Sequence, residues 1–215
     1  MDARRWLRKA AGSTAWWLVA ALAPAAGATE SFQAAGASQD ARSLVGWVQR
    51  SGDAHGRPYA VVDKRGAHIY VFHADGRLAG HSPALLGSAV GDHTAPNVGA
   101  HAQTGHVPPA ERTTPAGRFE AVPGENRSGE QVIWVDYESA FAIHRLRPGF
   151  SYAARSGRLA TAKVDGKRVS WGCVVVPVAF YKQVVQRVLG ASRSVVYVLP
   201  ETRPVQGFMQ ALEKG

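Results

Sequence analysis

The 215-residue chain holds a single cysteine, Cys173, and that scarcity excludes an internal disulfide framework. Acidic groups are short too, 16 against 25 basic ones, a formal charge of +9. The excess suits acidic partners, such as a cell-wall polymer or an anionic lipid, or simply keeps the chain soluble. Past residue 28 no stretch is long and apolar enough to cross a bilayer. Glycine is plentiful at 23 residues, but no repeat period accompanies it. That excludes a fibrous protein and suggests many turns and short strands.

The N-terminus has the organisation of a secretory signal over residues 1–28. Arg4, Arg5, Arg8 and Lys9 are its basic region, residues 15–23 its apolar run, and Ala26-Gly27-Ala28 its small cleavage residues. An uncleaved anchor is the alternative, although the run is short for a span. Either way the remainder is expected outside the cytoplasm, in the periplasm or cell envelope. Nucleic acid is a poor partner there, and no membrane span is required after cleavage. Removing residues 1–28 leaves 21 basic against 15 acidic groups, a balance of +6.

Residues 29–57 are rich in Ala, Gly, Ser and Gln and read as a leader or tether, with a short helix around Arg42–Val48. Texture changes at Tyr59. Strand-like runs cover 59–63, 67–72, 117–122, 131–137, 141–144 and 195–199, and a further extended piece ends near 85–88. Residues 178–189 repeat apolar side chains at helical spacing, with Pro177 as a first-turn proline and Gly190 as a C-terminal cap. Residues 205–213 are a candidate last short helix in a C-terminal tail, 201–215. The count predicts a mainly β fold, a β-sandwich or partly open barrel, with one packed α-helix after the cysteine. Two long segments lack strand periodicity: 88–113, with His93, His101 and His106, and 145–169, with seven basic residues and one acidic residue, Asp165.

A lone thiol in an oxidising compartment is either a buried packing residue or a nucleophile. Gly172 before it permits a tight turn and close substrate approach, and backbone N–H groups at such a turn can stabilise an oxyanion. A thiol nucleophile needs a base. His144, at the end of a strand and bracketed by Ile143 and Arg145, is the best-placed histidine.

Thr113-Thr114-Pro115-Ala116-Gly117-Arg118-Phe119, then Ala142-Ile143-His144, then Ser170-Trp171-Gly172-Cys173-Val174 resemble, in order, the L,D-transpeptidase (YkuD-like) family of bacterial cell walls. The resemblance covers roughly residues 59–200. It implies a β-rich catalytic domain whose cysteine attacks the bond between diaminopimelate and D-alanine in peptidoglycan stem peptides and passes the acyl group to an amine. It implies Cys173 as nucleophile and His144 as base. Gly172, with the Cys173 N–H, belongs to the oxyanion turn, and Ser170 opens the motif. No cofactor is implied. Hydrolysis, as in an L,D-carboxypeptidase, and non-catalytic peptidoglycan binding are the alternatives.

Three departures stand out. Trp171 replaces the motif's usual histidine, as in a subgroup with an aromatic there. Val175 stands where Asn or Arg is usual. The segment between His144 and Ser170 is long. Trp171 is a rim or packing residue, with substrate contact as its second role. Arg145 is a candidate receptor for substrate carboxylates, against a merely solvated basic loop. The spacing of His93, His101 and His106 matches no standard zinc pattern, so a lid is the better reading of 88–113.

Overall fold

The structure, a computed structural model, describes Phe32 and residues 35–214. The signal segment 1–28 lies outside the described residues. Helix α1 (Gln39–Ser51) extends the helix expected around residues 42–48 and starts where the Ser38 side chain accepts from the Ala41 N–H at 3.1 Å. It stops at Gly52, whose left-handed φ of 68° closes the last turn onto Val48.

Strands β1 (Tyr59–Asp63), β2 (His68–Phe72) and β3 (Leu78–Pro83) form an antiparallel meander. The short β4 (Leu86–Gly87) follows, then helix α2 (Val98–Gln103) inside the first long loop. Next come β5 (Gly117–Glu125), β6 (Gln131–Asp136), β7 (Phe141–Arg145) and helix α3 (Tyr152–Ala160). Then follow β8 (Arg168–Ser170), β9 (Val174–Val176), a helix over 178–188 called α4, β10 (Ser194–Val198) and α5 (Val205–Leu212). Eight strands share one sheet in the order β3-β2-β1-β10-β5-β6-β7-β9, and β4 pairs with β8. Its two parallel pairings are β1 with β10 and β7 with β9.

Both faces of this sheet are covered. One core joins Val62, Ile69, Val71 and Val196 to Ile133, Ile143, Val174 and Val176, so the sheet curls around it as a partly open barrel. Helix α4 packs there through Tyr181, Val185 and Leu189. The alternate residues Tyr59, Val61, Tyr70, Phe72, Val195 and Tyr197 face α1 and α5 in a second core with Leu44, Trp47 and Phe208. Burial on both faces is why β1 and β10 carry unbroken apolar runs, Tyr59–Val62 and Val195–Val198, rather than alternating.

The mainly β architecture is the one expected, and three details differ. Helices beyond the expected one occur, including α2 and α3 within the two aperiodic segments. α4 is not uniform: Val178–Phe180 is α-helical, Tyr181–Val185 is a π turn, and Gln186–Val188 is α-helical again. Pro177 stands at the N-cap with extended ψ of 145°, one residue outside the first turn.

Candidate active site

Strand register decides which side chains meet. Ile143 lies opposite Val174 and His144 opposite Val175 in the parallel β7–β9 pair. Ile143, Val174 and Val176 point into the first core. Side chains alternate along a strand, so His144, Cys173 and Val175 point to the other face. There a third, smaller cluster joins Leu85, Leu146, Leu159 of α3 and Val175, with Cys173 packed against it. The expected nucleophile and the expected base therefore share one face on adjacent strands, under the cover of α3.

The turn that presents Cys173 is tied at several points. The Ser170 hydroxyl donates to the Cys173 carbonyl at 2.7 Å and accepts from the Gly172 N–H at 3.1 Å. The buried Thr114 hydroxyl donates to the Gly172 carbonyl at 2.7 Å and accepts from the Gly87 N–H at 2.8 Å. Gly172 has φ of 127°, and a Cβ there would meet the Thr113 carbonyl oxygen at 2.8 Å. Only glycine fits on both counts. With its N–H and carbonyl both engaged, Gly172 supplies conformation, and the Cys173 N–H is the donor left at the turn for an oxyanion.

Thr114 is itself anchored by a buried ionic network that sequence reading missed. The Lys64 ammonium donates to Asp92 at 2.8 Å, to the Gly91 carbonyl at 2.6 Å and to the Thr114 carbonyl at 2.8 Å. Glu201 lies 3.4 Å from the same ammonium and also pairs with Arg168. Burial pushes the Asp92 carboxyl up, but Lys64, the Thr202 hydroxyl and two backbone N–H groups outweigh it and hold it well below the usual range. No local signal marks Lys64, because its partners come from distant loops.

Protonation states follow from burial. His144 is 8% exposed, and burial, helped by the Arg147 charge, lowers its pKa to about 4. Its Nδ1 lies 2.8 Å from the Arg145 carbonyl, which can only accept. Nδ1 therefore carries the proton and Nε2 the lone pair. Burial pushes the Cys173 thiol up, and its Sγ donates to the Ala140 carbonyl at 3.5 Å. The resting pair is a thiol and a neutral imidazole, with no hydrogen bond directly between them. Ala140 holds a left-handed φ of 56°, uncommon for a residue with a side chain.

A narrow cleft reaches Cys173 between Thr113, Pro115, Ala140, Phe141 and Trp171. Trp171 is half exposed at its rim, with the Arg112 guanidinium 5.4 Å from its ring centroid. Beyond Ala140 the cleft meets a groove of about 500 Å³ lined by Gln103, Arg127, Trp134, Tyr137 and Arg147. Arg145, singled out as a carboxylate receptor, has its Nη2 on Glu130 at 2.6 Å. His101 pairs with Glu111 at 2.6 Å, and among the described residues no three metal-ligating side chains converge. No described helix is long and apolar enough to cross a membrane.

No protein-family profile and no curated protein matches the sequence. Solved structures do resemble the fold at low identity. The helical cell shape determining protein Pgp2 from Campylobacter jejuni is 14% identical over 67% of this chain and 48% of its own, with a TM-score of 0.44. An Enterococcus faecium L,D-transpeptidase, the C442S mutant, is 17% identical over 66% of this chain and 50% of its own, with a TM-score of 0.35. An L,D-transpeptidase from Mycobacterium smegmatis is 16% identical over 66% and 58%, with a TM-score of 0.36. The chain thus spans about half the length of these proteins.

Proposed function

We propose that this chain is a peptidoglycan-modifying cysteine acyltransferase of the L,D-transpeptidase kind, exported to the cell envelope by residues 1–28. Its substrates are stem peptides, cut at the diaminopimelate–D-alanine bond. The observation that carries the reading is the common face given to Cys173 and His144 by the parallel pairing of β7 and β9, beside a glycine turn tied by Ser170 and Thr114.

His144 Nε2 takes the thiol proton as Sγ attacks the carbonyl carbon. The Cys173 N–H steadies the tetrahedral oxyanion. The C–N bond breaks, the imidazolium returns its proton to the departing amine, and D-alanine leaves a thioester on Cys173. An acceptor amine then attacks the thioester, gives its proton to His144, and the thiolate leaves and is reprotonated. Water in place of the amine makes the same site an L,D-carboxypeptidase. No step calls for a metal or cofactor.

The test is release of D-alanine from tetrapeptide muropeptides, with the thioester read by intact mass. The wild type is expected to release it, and Cys173→Ala and His144→Ala are expected to be inactive. Release by Cys173→Ala would sink the reading. The protonated, carbonyl-bonded thiol favours one second reading, a peptidoglycan-binding protein without catalysis. That reading predicts slow iodoacetamide labelling of Cys173 that His144→Ala leaves unchanged.

A further inference from the structure

Three guanidiniums, Arg145, Arg147 and Arg155, gather on the segment that follows His144, and one carboxylate lies against two of them. Arg145 Nη2 donates to one oxygen of Glu130 at 2.6 Å, while Arg147 Nε lies 2.7 Å from the other without hydrogen-bond alignment. Arg155, on α3, pairs with no carboxylate among the described residues. Its Nη2 donates to the Arg147 carbonyl at 2.9 Å, and its Nε is buried without a partner. A guanidinium so placed has donors to spare and a net charge to be met, which an incoming anion would satisfy.

The helix aims this group at the reaction. Leu159 is four residues beyond Arg155 and so on the same face of α3. It packs in the cluster that holds Val175 and Cys173. The charges of Arg147 and Arg155 both reach the His144 ring, and Cys173 feels Arg147. The His144 ring sits on the Arg145 carbonyl and Arg155 on the Arg147 carbonyl two residues on, so Arg155 lies at the imidazole end of this face. The imidazole protonates the departing amine, so the released residue, with its carboxylate one carbon from that amine, is the part of the substrate nearest Arg155.

We propose that Arg155, backed by Arg147, receives the free carboxylate of the amino acid released from the acyl-donor peptide. This rests on the acyl-transfer reading above. The long segment after His144 then supplies substrate recognition as well as cover. Val175 is apolar because α3 packs on it, and the polar contact comes from the covering helix instead. An arginine fork suits a carboxylate through two parallel N–H donors.

The experiment uses the non-reacting Cys173→Ala protein and calorimetric binding of a tetrapeptide donor with a free C-terminal carboxylate or a C-terminal amide. The acid is expected to bind about tenfold to a hundredfold tighter than the amide. Adding Arg155→Gln is expected to reduce that preference to about threefold or less, with Arg155→Lys in between because it keeps charge without the fork. A preference that survives Arg155→Gln overturns the assignment while leaving the acyl-transfer reading intact. No binding of either peptide by any of these proteins overturns both. Should Arg155→Gln not fold, Arg155→Lys decides: a fall of threefold or more supports the assignment, and an unchanged preference overturns it.

Discussion

Thr114→Val is the sharpest probe of how the cysteine turn is held. The substitution keeps the volume of a buried side chain and removes one hydroxyl. That hydroxyl bridges the Gly87 N–H and the Gly172 carbonyl at 2.8 and 2.7 Å, and both glycines are buried. Each group left without a partner costs about 1–3 kcal/mol, so the pair costs about 2–6 kcal/mol. For a domain of this size that lowers the melting temperature by about 4–24 °C. Thr114→Ser keeps the bridge and loses only a methyl, about 1 kcal/mol. D-alanine release should fall at least about tenfold in the valine protein, since a turn free to shift misplaces the sulfur. Calorimetric melting of the three proteins, with the release assay alongside, checks both effects. A valine protein that melts within about 2 °C of the wild type would refute the bridge as a stabilising element.

Gly172→Ala meets both a φ of 127° and the Thr113 carbonyl at 2.8 Å, so it is expected to abolish release while folding with a lowered melting point; an active alanine protein would show that the turn tolerates a side chain. Lys64→Met leaves Asp92 and Glu201 facing each other's loop without their shared cation, at a cost of about 3–5 kcal/mol, and a melting point within about 2 °C of the wild type counts against the network. His144 supplies a pH signature. Its folded pKa of about 4 lies below the ordinary value near 6.5, so the unfolded chain binds the extra proton first. Its contribution is full above about pH 6.5 and is lost as pH falls to about 4, a total of about 3 kcal/mol. The wild type should therefore lose more stability between pH 7 and 4 than His144→Asn does, and equal losses in denaturant titrations would remove the effect.

The strands were legible where local pattern and burial agree. β1, β2, β6, β7 and β10 fall within a residue or two of the apolar runs that suggested them, because turn residues bound each run. α3 escaped notice because Tyr152–Ala160 buries only Leu159, which leaves no apolar stripe to read. α2 is set by a tertiary contact: a Cβ on Gly99 would stand 1.8 Å from the Glu138 carbonyl oxygen, so the helix sits directly on the turn before β7. Lys64 stands between two strand-like runs with nothing local to mark it, and it is a buried cation whose partners come from loops near residues 92 and 201. Arg145 and Glu130 are fifteen positions apart, a pairing that only the β6–β7 hairpin creates. Sequence alone reaches residue types and strand ends; these pairings depend on which loops the fold folds back together.

The opposite pKa directions at the site have a common consequence. Burial raises the Cys173 thiol and lowers His144, so neither group is charged at rest. A protonated thiol oxidises slowly, which suits the lone cysteine of the exported protein proposed above. The cost is a weak base, since the Arg147 and Arg155 charges add to burial in disfavouring the imidazolium. A substrate carboxylate on Arg155 offsets that positive field. It raises the imidazole's proton affinity at the moment the scissile bond is in place, so the charged groups on α3 and its flanks link recognition to activation of the thiol.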